Sequence, residues 1–241
     1  MRKPLIITAI IALVALSAWL IYEFQKPNYR RFYYHYWNYT PSKYKALKTE
    51  AANKKVEFQD RYAAAQDDLA VVKPAIADYL TRSFDEQFAP FWYGTSYNFY
   101  GTTTTPGRGK IACGYFVTTV LADMGVPLDR VALAECASEK MILALVAPTA
   151  VKRFSKATIE TFVKSIRDSG EGLYLTGLDT HTGFILNRNN RITFIHSSGR
   201  YPFCVLSEDA LSSIALGKSA YRVLAKITDD DVFITNWLVK S

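Results

Sequence analysis

The stretch Thr180-His181-Thr182-Gly183-Phe184-Ile185-Leu186-Asn187-Arg188-Asn189-Asn190-Arg191-Ile192-Thr193-Phe194-Ile195-His196 decides how this chain is read. Two strand-like runs flank Asn189-Asn190, a pair that tolerates positive φ and closes a two-residue hairpin. With those two residues as the turn, Arg188 pairs with Arg191, Ile185 with Phe194 and Gly183 with His196. Facing residues share a face of the sheet, and so do residues two apart along a strand. His181 and His196 therefore become diagonal neighbours on one face, within reach of long side chains. Gly183 leaves space between them. A slip of one residue would put the two rings on opposite faces, so the inference hangs on the turn.

Working outward, further strands are expected near 172–176, 221–227 and 231–237, with a short helix over 207–216 capped by Ser207. Upstream, the spacing of Val117, Val120, Leu121 and Met124 predicts a helix over 113–124, stopped by Gly125. Helices are also expected near 135–147 and 156–168. The segment 91–110 reads as loop: Gly94, Gly101, four consecutive threonines, then Pro106-Gly107-Arg108-Gly109. Leu69, Val72, Ile76, Tyr79 and Leu80 recur at helical spacing within a helical region over 43–82, where Pro74 marks a first turn or a kink. Helices first and an antiparallel sheet afterwards give an α+β class.

The 241 residues are 49% hydrophobic and 21% charged, which excludes a wholly disordered chain. Lys plus Arg outnumber Asp plus Glu by 29 to 22, a formal charge of +7. A basic surface favours anionic partners such as wall polymer or lipid head groups. Phosphate-loop, Gly-x-Gly-x-x-Gly and paired Cys-x-x-Cys motifs are missing from the sequence, so no nucleotide cofactor and no nucleic-acid partner is expected.

Arg2 and Lys3 precede an uncharged run over 5–22, with Thr8 and Ser17 its only polar members before Tyr22. Eighteen such residues make about 27 Å of helix, close to the hydrocarbon thickness. The run reads as an export signal or a membrane anchor. Ala15 and Ser17 suit a cleavage site, whereas Trp19, Leu20, Ile21 and Tyr22 favour retention. Either way the chain is expected to be exported, to a periplasmic or cell-envelope location. The aromatic and basic segment over 29–44 is either an interfacial belt or a segment packed on the domain.

The rarest side chains carry the chemistry: Cys113, Cys136 and Cys204, and His35, His181 and His196. Cys113 follows a glycine-rich loop and opens a helix, where free amides and the helix dipole favour its thiolate. Cys113 then serves as nucleophile, His181 as base, and His196 as the group that orients His181. The amide of Cys113 itself is placed to hold a developing oxyanion. Trp92, Tyr93, Tyr97 and Tyr100 either line the substrate groove or cap the core. One thiolate and two imidazoles also describe a zinc site. In an exported domain Cys136 and Cys204 are available as a disulfide pair, leaving Cys113 free.

These residues resemble a known family, the papain-like cysteine hydrolases, and among them the NlpC-type cell-wall endopeptidases. The matching stretches are Ala112-Cys113-Gly114-Tyr115-Phe116-Val117 after Trp92-Tyr93-Gly94, then His181-Thr182-Gly183-Phe184-Ile185, then Phe194-Ile195-His196-Ser197-Ser198. They stand in the family's order and span roughly residues 91–200. The resemblance implies a nucleophile helix packed on an antiparallel sheet, a Cys113–His181–His196 triad without cofactor or metal, and a peptidoglycan or other peptide or amide substrate. The family's acidic residue before the cysteine, which helps bind a free amino end, is Ala112 here, and the interval from Cys113 to His181 is long; the alternatives are an amide hydrolase or acyltransferase acting on another substrate, and a non-catalytic envelope binding module that retains the fold. The expected organisation is a signal or anchor over 1–22, an aromatic, basic and helical region over 23–84, and the hydrolase domain over 85–241.

Overall fold

A computed structural model describes residues 12–19 and 40–239. The chain divides into two units, Met1–Asn38 and Tyr39–Ser241. In the first, residues 12–19 are helical with exposed side chains. Most of the apolar run over 5–22, and residues 29–39 of the aromatic segment over 29–44, lie outside the described residues. No described helix is long and apolar enough to cross a membrane.

In the second unit, α1 (Pro41–Ala64) and α2 (Leu69–Ser83) replace the single helical region read over 43–82. Gln66 and Asp67 adopt positive φ and break it, and the Asp68 carboxylate restarts it by accepting the Ala70 amide at 2.9 Å. Pro74 lies inside α2, beyond its first turn. A π-helical turn (Phe84–Phe88) and α3 (Ala89–Trp92) lead into the loop, which holds only β1 (Ser96–Tyr97) and β2 (Lys110–Ile111). Next come α4 (Cys113–Asp123), α5 (Arg130–Glu135), α6 (Ser138–Leu143), β3 (Lys152–Ser155) and α7 (Ile159–Asp168). The chain ends with β4 (Gly172–Leu178), β5 (Thr182–Arg188), β6 (Arg191–Ser197), β7 (Val205–Asp209), α8 (Ile214–Lys218), β8 (Tyr221–Lys226) and α9 (Asp231–Val239).

Six strands form one antiparallel sheet in the order β3-β8-β4-β5-β6-β7. Both faces are covered, so β4 is buried at every position. Leu173, Leu175, Phe184, Leu186 and Ile195 join the core shared with α1, α2, α4 and α9. The alternate residues Tyr174, Ile185 and Phe194 pack on Phe162 and Ile166 of α7 and Leu216 of α8. The hydrophobic alternation of period two thus becomes a helix–sheet–helix sandwich of α+β class.

Two expectations near the C-terminus are corrected. Ser207 starts no helix; it pairs with Ile195 inside β7, and the following helix begins later, capped by Ser213. Residues 231–237 form α9 rather than a strand. Asp230 accepts the Phe233 amide at 2.8 Å at its start, and Phe233, Ile234, Trp237 and Leu238 are buried at helical spacing.

Candidate active site

The hairpin has the register that its turn dictates. Asn189 and Asn190 take φ of 52° and 58°, and Arg188 pairs with Arg191 and Ile185 with Phe194. The ladder stops at Phe184 with Ile195, so the strands part just before the histidines. An added Cβ at Gly183 would come within 2.8 Å of the His196 Cβ, which places the pair side by side on the α7 and α8 face. His196 stacks on Phe194 with centroids 4.1 Å apart, and His181 meets the same ring edge-on. His181 Nε2 and His196 Nδ1 are hydrogen-bonded at 2.6 Å.

Cys113 is the first residue of α4, with Ala112 as its N-cap. Gly114 lets this helix start pass tightly against α5, since any Cβ there would strike the Ala134 carbonyl oxygen. Although α4 packs on the opposite face from the histidines, its N-terminus sits at the opened end of the β5–β6 pair. There Ser197 Oγ donates to the Ile111 carbonyl at 2.7 Å. The sulfur faces the amides of Thr182, Gly114 and Cys113 itself, which puts it beside the residue that follows His181. Tyr97 lies close by: its phenol pKa is raised by burial first and by the Cys113 charge second.

Electrostatically the site differs from the expected thiolate. Burial raises the Cys113 pKa and outweighs the three amides that favour the anion. Burial first, and the His196 charge second, push His181 far below the ordinary histidine range. The resting pair is therefore a neutral thiol and a neutral imidazole.

Glu208 on β7 was invisible while 207–216 read as helix. Its Oε1 meets His196 Nε2 at 3.1 Å and accepts the Ser213 hydroxyl at 2.6 Å. Burial pushes this carboxyl up, but the hydrogen bonds from His196 and Ser213 prevail and hold it below the usual range. An ionised Glu208 only accepts, so His196 donates from Nε2. The bond to His196 uses Nε2 of His181 and leaves Nδ1 as the unused ring nitrogen of His181. The signal that would have found Glu208 is the β7 register, which sets it opposite Phe194, two residues from His196.

The remaining expected positions separate. Tyr97 lines the cleft with His181 and His196. Trp92 and Tyr93 are core residues, the first fully buried and donating from Nε1 to the Tyr44 hydroxyl at 2.8 Å. Tyr100 is 84% exposed and packs edge-on against Phe99. The carboxylate of Asp179 is taken up by the Ala220 and Tyr221 amides and the Ser219 hydroxyl. The zinc alternative does not fit these atoms. Two nitrogens 2.6 Å apart are in a hydrogen bond, closer than ligands about 2.0–2.1 Å from a tetrahedral ion lie to one another. No metal-holding cluster is found among the described residues. Cys136 and Cys204 are both free and do not pair with one another; the buried Cys204 thiol is pushed up to about 11, chiefly by desolvation.

A cysteine at a helix start, an imidazole with one unused ring nitrogen and a second imidazole anchored by a carboxylate are groups suited to acyl transfer. No protein-family model, no curated protein and no solved structure matches the chain.

Proposed function

We propose that this chain is a cysteine amidase or peptidase of papain-like, NlpC-like design, exported or anchored in the cell envelope and acting on peptide bonds of peptidoglycan. The hydrogen bond between His181 Nε2 and His196 Nδ1, with the Cys113 sulfur at the amide of the next residue, Thr182, supports this reading best. His181 takes the thiol proton at Nδ1 as the sulfur attacks the carbonyl carbon. The tetrahedral oxyanion forms near the free amides at the start of α4. Its collapse breaks the C–N bond, and His181 returns the proton to the leaving amine. Water, deprotonated by the same nitrogen, then attacks the thioester and releases the acid and the thiol. Because both partners start neutral, the ion pair is made only as substrate reacts.

A second substrate class, another amide or an ester, is favoured by Ala112, which brings no carboxylate to the residue before the nucleophile. Digestion of purified wall fragments, followed by mass spectrometry of the new termini, tests the proposal. Wild type is expected to release products, and Cys113→Ala to release none while melting at the same temperature. Equal release by both proteins sinks it.

A further inference from the structure

The cleft in front of the histidine pair has a volume of about 450 Å³ and is lined by Tyr97, Asp179, His181, His196, Arg200 and Lys218, among others. Its charges are unequal in availability. The Asp179 carboxylate already holds three hydrogen bonds: Oδ2 accepts the Ala220 amide at 2.7 Å and the Ser219 hydroxyl at 3.1 Å, and Oδ1 accepts the Tyr221 amide at 3.0 Å. These contacts, led by the Ala220 amide, hold its pKa down. Glu208 stands behind His196, with its oxygen committed to that ring and to Ser213. Arg200 and Lys218, in contrast, are exposed and make no side-chain hydrogen bond or ion pair among the described residues.

A ligand cation entering this cleft would meet one carboxylate most of whose acceptor sites are already used. A ligand anion would meet a planar guanidinium fork and an ammonium, both free to donate. Lys218 is held in place because its helix α8 is tied down from beneath. The buried Arg222 donates to the Leu216 carbonyl at 2.8 Å, and Ser213 caps the helix start. Arg200 is set on the other wall by the Ser198 hydroxyl, which accepts the Arg200 amide at 3.1 Å.

We infer that Arg200 and Lys218 form an anion subsite, so that the preferred substrate carries a carboxylate close to the bond that is cleaved. The inference rests on the hydrolase reading for its use but not for its test. Iodoacetate and iodoacetamide alkylate a cysteine by the same displacement: the sulfur forms a thioether, iodide leaves, and the thiol proton goes to base. They differ in the carboxylate. The rates are measured on the full chain carrying Cys136→Ser, with the Cys113 peptide followed by mass spectrometry, and referred to the same protein unfolded in urea.

The iodoacetate-to-iodoacetamide ratio at Cys113 is expected to exceed the unfolded reference by about tenfold, the lower end of what a charged cleft provides. Added salt should reduce it, and the double variant Arg200→Gln/Lys218→Gln should return it to the reference, with an unchanged melting temperature showing that the fold persists. A ratio equal to the reference in the protein with both cations intact overturns the subsite and leaves the hydrolase reading standing. A high ratio that survives in the double variant overturns the assignment to these residues. Failure of both reagents to reach Cys113 in the folded protein overturns the subsite and the hydrolase reading together.

Discussion

Acid should destabilise this fold through His181. Burial and the neighbouring His196 depress the folded pKa of His181 far below the unfolded value, which lies near about 6.5. Between those two values the unfolded chain binds a proton that the folded chain refuses. Stability therefore falls as pH drops through the unfolded pKa. One proton contributes about 1.4 kcal/mol per pH unit, so moving from about pH 7.5 to about pH 5 removes about 2 kcal/mol. Glu208, held below its usual range, loses its contribution only at lower pH. Asp123 is raised, first by burial, and acts in the opposite sense, but equally in every variant that keeps it. His181→Gln is the control, since an amide can still donate to His196 Nδ1. Urea titrations at steps across this range should show a steeper loss in the wild type than in His181→Gln. Parallel loss in the two proteins refutes the claim that His181 is held neutral by its surroundings.

Other consequences are as definite. Alkylation of Cys113 by iodoacetamide should rise with pH along a curve centred above that of an ordinary thiol, because burial outweighs the three amides; a midpoint well below neutrality would show a resting thiolate instead. Glu208→Leu leaves the His196 N–H and the Ser213 hydroxyl without their shared acceptor and should cost about 2–4 kcal/mol in urea unfolding. In the same variant nitrogen NMR should no longer find His181 held as its Nε2–H tautomer, and an unchanged tautomer would remove Glu208 from the relay. Gly183→Ala drives a methyl toward the His196 Cβ, the Phe194 ring and the Ile195 carbonyl, an overpacking expected to cost about 1–3 kcal/mol. Full wild-type stability would show that the strands can part further at no expense.

Local chemistry alone carried the hairpin and the helix that begins at Cys113. Asn189 and Asn190 are suited to the positive φ that a two-residue turn demands, and the turn sets the register that puts His181 beside His196. The helix at Cys113 was equally legible, since its apolar spacing and the Gly125 stop act within a few residues. The residues that escaped are those whose state depends on distant partners. Glu208 is strand because β7 pairs with β6, an interaction that no property of the segment 205–209 announces. Residues 231–237 carry β-branched side chains yet form a helix, because Asp230 caps it and Trp237 reaches the Met124 carbonyl across the core. Trp92, whose loop position allows either a groove or a core role, is core because its indole is bonded to Tyr44 on α1.

The charge of Cys113 was the least readable quantity of all. Its place at a helix start is a fact of sequence, and that place favours the anion. Whether water or protein surrounds the sulfur is settled only when β5 and the loop carrying Tyr97 close over it, and desolvation then outweighs the helix. Backbone conformation and spacing act over a few residues and can be read from a string. Burial and the identity of a carboxylate behind an imidazole belong to the packed molecule.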